Sequence, residues 1–297
     1  MDQAEQLRNI VKLQNQAAPK KVARVITVTS GKGGVGKSSI SINLAIQFAS
    51  QGKKVIIFDA DFGLANIEVM LGAIPKFNLA DMIFNGKEFE DIIVKGPMDI
   101  GFISGGSGIN RLANMSKDQV TFLVYKLKEL EKLADVIIVD TGAGISDSVL
   151  EFVMTSNEVI LVTTPEPTSI TDSYALLKSL NAKSGFNKEE TTIKIVANRV
   201  DSFDEGKNLY DKLSLVVDKF LNIHLKFLGI IPNDANMQKA VMQQKPITIA
   251  YTNSVGTKAF ESIMQTLDGE AEAEEIKKKG LAGAFVKMFK NARRKNG

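Results

Sequence analysis

Seven short apolar runs recur along the chain, at 22–29, 54–59, 99–104, 135–140, 158–163, 192–197 and 227–231. Nearly all are continuous rather than alternating. A continuous run of β-branched and apolar residues predicts a strand covered on both faces, which means a parallel sheet between helices. Between the runs the apolar positions change to helical spacing, over 38–50, 116–133, 146–155, 169–183, 205–222 and 235–244. The alternation predicts an α/β fold, a doubly wound, mainly parallel sheet of about seven or eight strands flanked by helices. Ligands of such sheets bind beyond the carboxyl ends of the strands, so the polar residues there are the candidates for chemistry.

The two ends carry their own patterns. Residues 2–16 predict a short helix with Asp2 as N-cap and Leu7, Ile10 and Val11 on one face, broken at Ala17-Ala18-Pro19. It precedes the first core strand and reads either as a detachable helix or as an edge helix packed on the body. At the other end, Leu281, Ala284, Phe285, Met288, Phe289 and Ala292 form one apolar face, with Lys287, Lys290, Arg293 and Arg294 around it. That is the pattern of an amphipathic helix lying in a membrane interface. Each basic residue near an anionic leaflet contributes about 1 kcal/mol and each inserted large apolar side chain roughly 1.5–3 kcal/mol. Ordering the free tail offsets much of this, so two tails on a dimer bind far better than one. The expected organisation is a helix at 1–18, a nucleotide-binding domain at 19–267, a charged connector at 268–279 (a mobile linker or a surface helix) and the amphipathic helix at 280–297.

The formal charge of +3 is modest, but no acidic residue follows Glu275 while eight lysines and arginines do. A cationic tail on a near-neutral body points to an anionic partner: membrane, nucleic acid or acidic protein. Cysteine is absent, which excludes disulfides, thiol catalysis and cysteine-ligated clusters. The single histidine, His224, leaves no multi-histidine zinc site and no Ser-His-Asp triad. No apolar run is long enough to span a bilayer, and the first residues do not resemble a signal peptide.

The strongest chemical signal lies between the first strand and the first helix. Gly31-Lys32-Gly33-Gly34-Val35-Gly36-Lys37-Ser38 fits G-x-x-x-x-G-K-[ST] at every fixed position, in the strand–loop–helix context that gives the motif meaning. The glycines let backbone N–H groups cradle phosphate oxygens, and the helix N-terminus adds its unpaired amides, those of Ser38 and Ser39 among them. Lys37 is expected on the β- and γ-phosphates and Ser38 on Mg²⁺. The second strand ends Asp59-Ala60-Asp61, two carboxylates that can orient Mg²⁺ and its waters and position an attacking water. The fourth ends in Asp140, an apolar strand closing on an aspartate that reads as a further holder of the metal's water shell, followed by Thr141-Gly142-Ala143-Gly144.

Lys32, directly after the first glycine, is not required by the general motif. With it the loop resembles the deviant Walker A family, MinD, ParA and their relatives. The Asp59–Asp61 run resembles that family's switch I, and Asp140 to Gly144 its switch II, although this loop lacks the more usual proline. The resemblance implies ATP/ADP and Mg²⁺ as ligands, Asp61 as the residue governing hydrolysis, and an ATP-bound homodimer in which Lys32 reaches the partner's phosphates. It also implies that Asn198 at the end of the sixth strand contacts adenine, with Arg199 beside it among the nucleotide-binding residues, and that Pro232, Asn233 and Asp234 line base and ribose. Asn198-Arg199-Val200-Asp201 lies close to the guanine-reading pattern of GTPases, so GTP stays open, and Asp234 is equally a helix N-cap before 235–244.

The wording Thr163 to Tyr174 and the opening Asp2-Gln3-Ala4-Glu5-Gln6-Leu7-Arg8 resemble one branch, the flagellar MinD-like ATPases FlhG, FleN and YlxH. That branch implies control of flagellar number and placement. It implies a partner in the signal-recognition-type GTPase FlhF, stimulated by the N-terminal helix through Gln3 with Leu7 and Arg8 docking. Flagellar C-ring proteins or a flagellar transcription regulator are further implied partners. Leu281, Phe285, Lys287, Met288, Phe289 and Lys290 are the expected contacts to anionic inner-membrane lipids, giving a cytoplasmic protein peripherally bound in its ATP state. Direct nucleic-acid binding is not expected. The alternatives are a MinD/ParA-type positioning ATPase for division sites or DNA cargo, and a small-molecule phosphotransferase, for which no acceptor motif is present.

Overall fold

The computed structural model describes residues 23–61, 66–106 and 117–273. The N-terminal helix with Gln3, Leu7 and Arg8, and the tail with Leu281, Phe285, Lys287, Met288, Phe289 and Lys290, lie outside the described residues.

All seven expected strands are present. In chain order they are β1 (Arg24–Ser30), β2 (Val55–Ala60), β4 (Gly101–Ser104), β5 (Val136–Ala143), β6 (Glu158–Thr163), β7 (Thr192–Val200) and β8 (Leu225–Pro232). The eighth, β3 (Val94–Lys95), is two residues of antiparallel edge on β4, too short to leave a pattern in the sequence. The sheet order is β3-β4-β2-β5-β1-β6-β7-β8, parallel everywhere else. β1 is the pivot, with β5 on one side and β6 on the other, so the loop after it opens where the strand order reverses.

The helices are α1 (Lys37–Ser50), α2 (Asn66–Leu71), α3 (Leu79–Asn85), α4 (Phe89–Ile92), α5 (Lys117–Leu133), α6 (Asp147–Thr155), α7 (Pro167–Asn181), α8 (Phe203–Leu221), α9 (Ala235–Met242), α10 (Ile247–Ala250) and α11 (Val255–Ala273). The strands alternate their side chains between two helical layers. Ile26, Val28, Ile57 and Ile138 pack against Ile40, Leu44 and Phe48 of α1 and Phe260, Ile263 and Leu267 of α11. Val25, Ile56, Phe58, Ile137 and Val139 pack on the opposite layer with Met82, Leu127 and Leu130. Both faces being buried is why the strands read as unbroken apolar runs.

At the amino end of the sheet a buried ion cluster joins three strands. Glu158 accepts from Arg24 Nη2 and Lys194 Nζ, each at 2.8 Å, and Arg24 also donates to the Leu267 carbonyl at 2.7 Å. This ties α11 to the central strand. Because α11 continues to Ala273, the first residues of the expected connector at 268–279 belong to a helix that starts in the core. Among the described residues no helix is long and apolar enough to cross a membrane.

Candidate functional site

β1 ends at Ser30 and α1 begins at Lys37, and the glycine loop fills the gap. Gly36 is the N-cap of α1 with φ 101°, a left-handed conformation that side chains resist. Gly31 is held by proximity instead. A Cβ there would lie 2.1 Å from the Asp172 carbonyl carbon and 2.5 Å from the Ser173 nitrogen, so the loop runs directly against the backbone of α7. Val35 is buried, Gly33 and Gly34 are exposed, and Ser38 and Ser39 lie half-buried in the first turn of α1.

Lys37 is 7% exposed. Burial depresses its ammonium, and Asp140 and Asp61 partly restore it. The Ser38 and Ser41 hydroxyls both bond the Asp140 carboxylate, Ser41 at 2.8 Å. Ser41 has no place in the sequence motif; its position one turn after Ser38 on the same helix face is the signal that could have found it. Burial pushes the Asp140 carboxyl up to about 6 against these bonds. Burial, then the Asp140 charge, pushes Asp59 up to about 8, although Asp59 accepts the Asp61 N–H at 3.0 Å and the Ile67 N–H. Asp59 therefore also anchors the start of α2.

The expected metal ligands fit a divalent cation. Asp59 Oδ2 and Asp140 Oδ2 are buried without a hydrogen-bond partner among the described residues. Ser38 joins them through Asp140, and burial is the main cause that raises both carboxyls. Two carboxylates and a hydroxyl make an oxygen donor set suited to Mg²⁺, which keeps several waters. Asp61 sits at the carboxyl end of β2 with Gly142 of β5 against it, a Cβ on that glycine falling 3.5 Å from Asp61 Oδ1. The ends of β2 and β5 thus touch. β5 continues as strand through Asp140 to Ala143 and turns at Gly144, whose N–H donates to Ser30 O at 2.9 Å. The absence of the proline is met by extended backbone.

Asp59 supplies a pH prediction. Its folded carboxyl stands near 8 and its unfolded value near 3.8, so the folded chain holds the extra proton between them. Stability of the ligand-free protein is then full below about pH 4 and is lost as pH rises towards 8. Asp59→Asn, which cannot ionise, should melt about 10 °C above wild type at pH 8 in EDTA and level with it at pH 4. Melting curves at the two pH values decide it; an unchanged or lower melting temperature at pH 8 counts against the burial account.

Lys32 lies on its own chain's α7. Its Nζ bonds Glu166 Oε2 at 2.6 Å and Thr168 Oγ1 at 2.8 Å, and the lysine holds the Glu166 carboxyl below its usual range. The sequence shows that Lys32 is extra but not where it rests. Asn198 Nδ2 donates to Val35 O at 2.7 Å and Arg199 Nη2 to Gly34 O at 2.8 Å, so both residues bear on the glycine loop. Pro232 pairs with Val200 and the Asn233 N–H donates to Val200 O, which places both beside that loop's neighbour strand. Asp234 is the N-cap of α9, accepting from Asn236 N at 2.8 Å, and its other oxygen accepts from Gly256 N at 3.0 Å.

Residues 26–247 match the family model described as the CobQ/CobB/MinD/ParA nucleotide binding domain. The chain belongs to the MinD/ParA family. This MinD/ParA-family ATPase falls in the FleN/YlxH branch. It is 42% identical to the antiactivator FleN of Pseudomonas aeruginosa over 245 residues, 82% of this chain and 86% of that protein. It is 34% identical to the flagellum site-determining protein YlxH of Helicobacter pylori over 295 residues, 97% and 98% of the two chains. Its fold is similar to that of the cell division ATPase MinD of Pyrococcus furiosus, with a TM-score of 0.65 and 25% identity over 84% of this chain and all of the other. In the MinD/ParA ATPase, Glu166 and Thr168 are thus the residues that sequence reading left without a role, and the bonds to Lys32 give them one.

Proposed function

We propose that this ATPase is a nucleotide-driven switch that regulates flagellar number and placement from the cytoplasmic face of the membrane. The observation that carries this reading is the match to the flagellum site-determining protein YlxH over 97% of the chain. ATP enters with its phosphates on the loop amides and on Lys37. Ser38, and Asp59 and Asp140 through water, would hold Mg²⁺, which would supply charge neutralisation at the phosphates. Asp61 positions the attacking water. Pro232 and Asn233 border the base. Lys32 leaves Glu166, at the small cost of an exposed ion pair, and reaches the phosphates of a second copy, so the ATP form is a homodimer. Pairing brings two C-terminal helices together, and Leu281, Phe285, Met288 and Phe289 insert while Lys287 and Lys290 meet anionic lipid. The N-terminal helix, through Gln3, Leu7 and Arg8, stimulates FlhF.

Sedimentation with phosphatidylglycerol vesicles tests the switch. Full-length protein and a chain ending at Lys279 are compared with ATP and with ADP, in an Asp61→Ala background that blocks turnover. Only the full-length protein should pellet, and only with ATP. Pelleting that ignores the nucleotide makes the tail a constitutive anchor. Absence of pelleting removes the membrane from the account. A peptide of residues 1–16 should raise the GTPase rate of FlhF, and Gln3→Ala should abolish the effect.

A further inference from the structure

Asp59 and Asp140 stand side by side, as register partners on the adjacent parallel strands β2 and β5. Their carboxylates are tethered in the same way. Asp59 Oδ1 accepts the Asp61 N–H at 3.0 Å, and Asp140 Oδ1 accepts the Ser41 hydroxyl at 2.8 Å. In each group the second oxygen, Oδ2, is buried with no hydrogen-bond partner among the described residues. One oxygen of each carboxylate is thus fixed by the protein, and the other is left to a ligand. The tether of Asp59 is backbone. That of Asp140 is a side chain from α1, and nothing in the phosphate-loop motif requires it.

The Ser41 bond is built and not incidental. Ser41 and Asp140 are both 0% exposed, so neither can exchange the bond for bulk water. A serine inside a helix can bond the carbonyl one turn back. Ser41 instead donates to a strand residue 99 positions away. Its neighbours Ile40, Ile42, Leu44 and Ala45 are buried and apolar, and alanine would be the better helix former at this position. The hydroxyl costs helix propensity and desolvation, and the bond to Asp140 offsets both. An aspartate side chain turns about two bonds, and pinning Oδ1 to α1 removes that freedom. Ser38, the expected metal ligand three positions earlier on the same helix face, bonds the same carboxylate.

We propose that Ser41 is a positioning residue for Mg²⁺: it acts through Asp140, holding one carboxylate oxygen so that the other is presented to the cation or its waters. The inference rests on the ATPase reading and adds a residue to that site. Removing the hydrogen-bond partner of a metal-binding side chain typically costs about 10–100-fold in metal affinity.

A titration of the metal alone tests it. Mg²⁺ is added to protein loaded with fluorescent N-methylanthraniloyl-ADP, and affinity for the same nucleotide is measured separately in EDTA. Ser41→Ala should raise the Mg²⁺ concentration at half-saturation by about tenfold or more. Its nucleotide affinity in EDTA should match that of wild type. Its ATPase rate, low at limiting Mg²⁺, should recover when Mg²⁺ saturates. Ser41→Thr, which keeps the hydroxyl, should bind Mg²⁺ more tightly than Ser41→Ala. Ser41→Ala should melt within a few degrees of wild type, because a better helix former offsets a lost hydrogen bond, so weaker metal binding would not be lost folding. A purely structural role would weaken the nucleotide in EDTA and leave a rate that excess Mg²⁺ does not restore, and that result overturns the proposal. Wild-type Mg²⁺ affinity in Ser41→Ala overturns it as well. A wild type whose nucleotide binding ignores Mg²⁺ removes the metal site, and one that binds no nucleotide sinks the ATPase reading itself.

Discussion

Gly31→Ala will leave a folded protein with ATP affinity and turnover reduced by about a hundredfold or more. The new methyl would lie 2.1 Å and 2.2 Å from the carbonyl carbon and oxygen of Asp172, where ordinary contact begins near 3.4 Å. These neighbours are helix backbone, which cannot swing aside as a side chain does. Either the loop or the first turns of α7 must move by roughly 1 Å, and a displacement of that size at a reacting centre costs about 10²-fold. Overpacking costs about 1–3 kcal/mol of stability, too little to unfold a domain of this size. Gly269→Ala is the matched control: it lies in α11 with nothing within 4 Å of the added Cβ, and it should stabilise by up to about 1 kcal/mol without changing turnover. Nucleotide titration, steady-state ATPase assays and melting curves on both variants check the pair. Wild-type turnover in Gly31→Ala would mean that α7 yields freely, and that its contact with the loop carries nothing.

Lys37→Met should lower kcat/KM for ATP by about 10³-fold. Lys37 is the buried cation of the site, and its charge is balanced by Asp140 and Asp61. Methionine matches the length and apolar stem but leaves those carboxylates facing the phosphates unopposed. Asp140 loses one of the charges that hold its carboxyl down, so the remaining acidity shifts further up. Removing a desolvated ammonium recovers part of its burial cost, so the melting temperature should stay within a few degrees of wild type. A variant that folds and still turns over ATP within tenfold of wild type would remove Lys37 from the phosphate site. The two variants fail for different reasons, one by geometry and one by charge, and Mg²⁺ titration separates them.

Strand existence was legible because burial on both faces forbids polar residues over a whole run. Glu158–Thr163 matches its sequence span at both ends, and the other strands shift by up to three residues at an end. β7 and β8 extend beyond the apolar run because backbone pairing continues through Asn198, Val200 and Pro232 after side-chain burial stops being uniform. The short helices α2, α3, α4 and α10 were not legible. Four to seven residues complete two turns at most, too few for a period to show, and α3 is declared instead by its Asn78–Asp81 capping box. α11 does leave a pattern in the sequence: Phe260, Ile263, Met264 and Leu267 stand at helical spacing and are all buried.

The sequence by itself determined the class of fold, the phosphate loop and its extra lysine, the three aspartates at strand ends and the branch of the MinD/ParA family. Each of these is local, a pattern of residue types within a few positions, and local patterns survive without coordinates. Tertiary structure decided what those residues touch. Lys32 rests on Glu166, which is 134 positions away; Gly31 abuts Asp172; Asn198 and Arg199 brace Val35 and Gly34 from more than 160 positions off. Such pairings follow from strand order, which places the end of β1 beside the end of β6 and one strand from β7. No residue type encodes its partner across that distance; the parallel sheet brings them together.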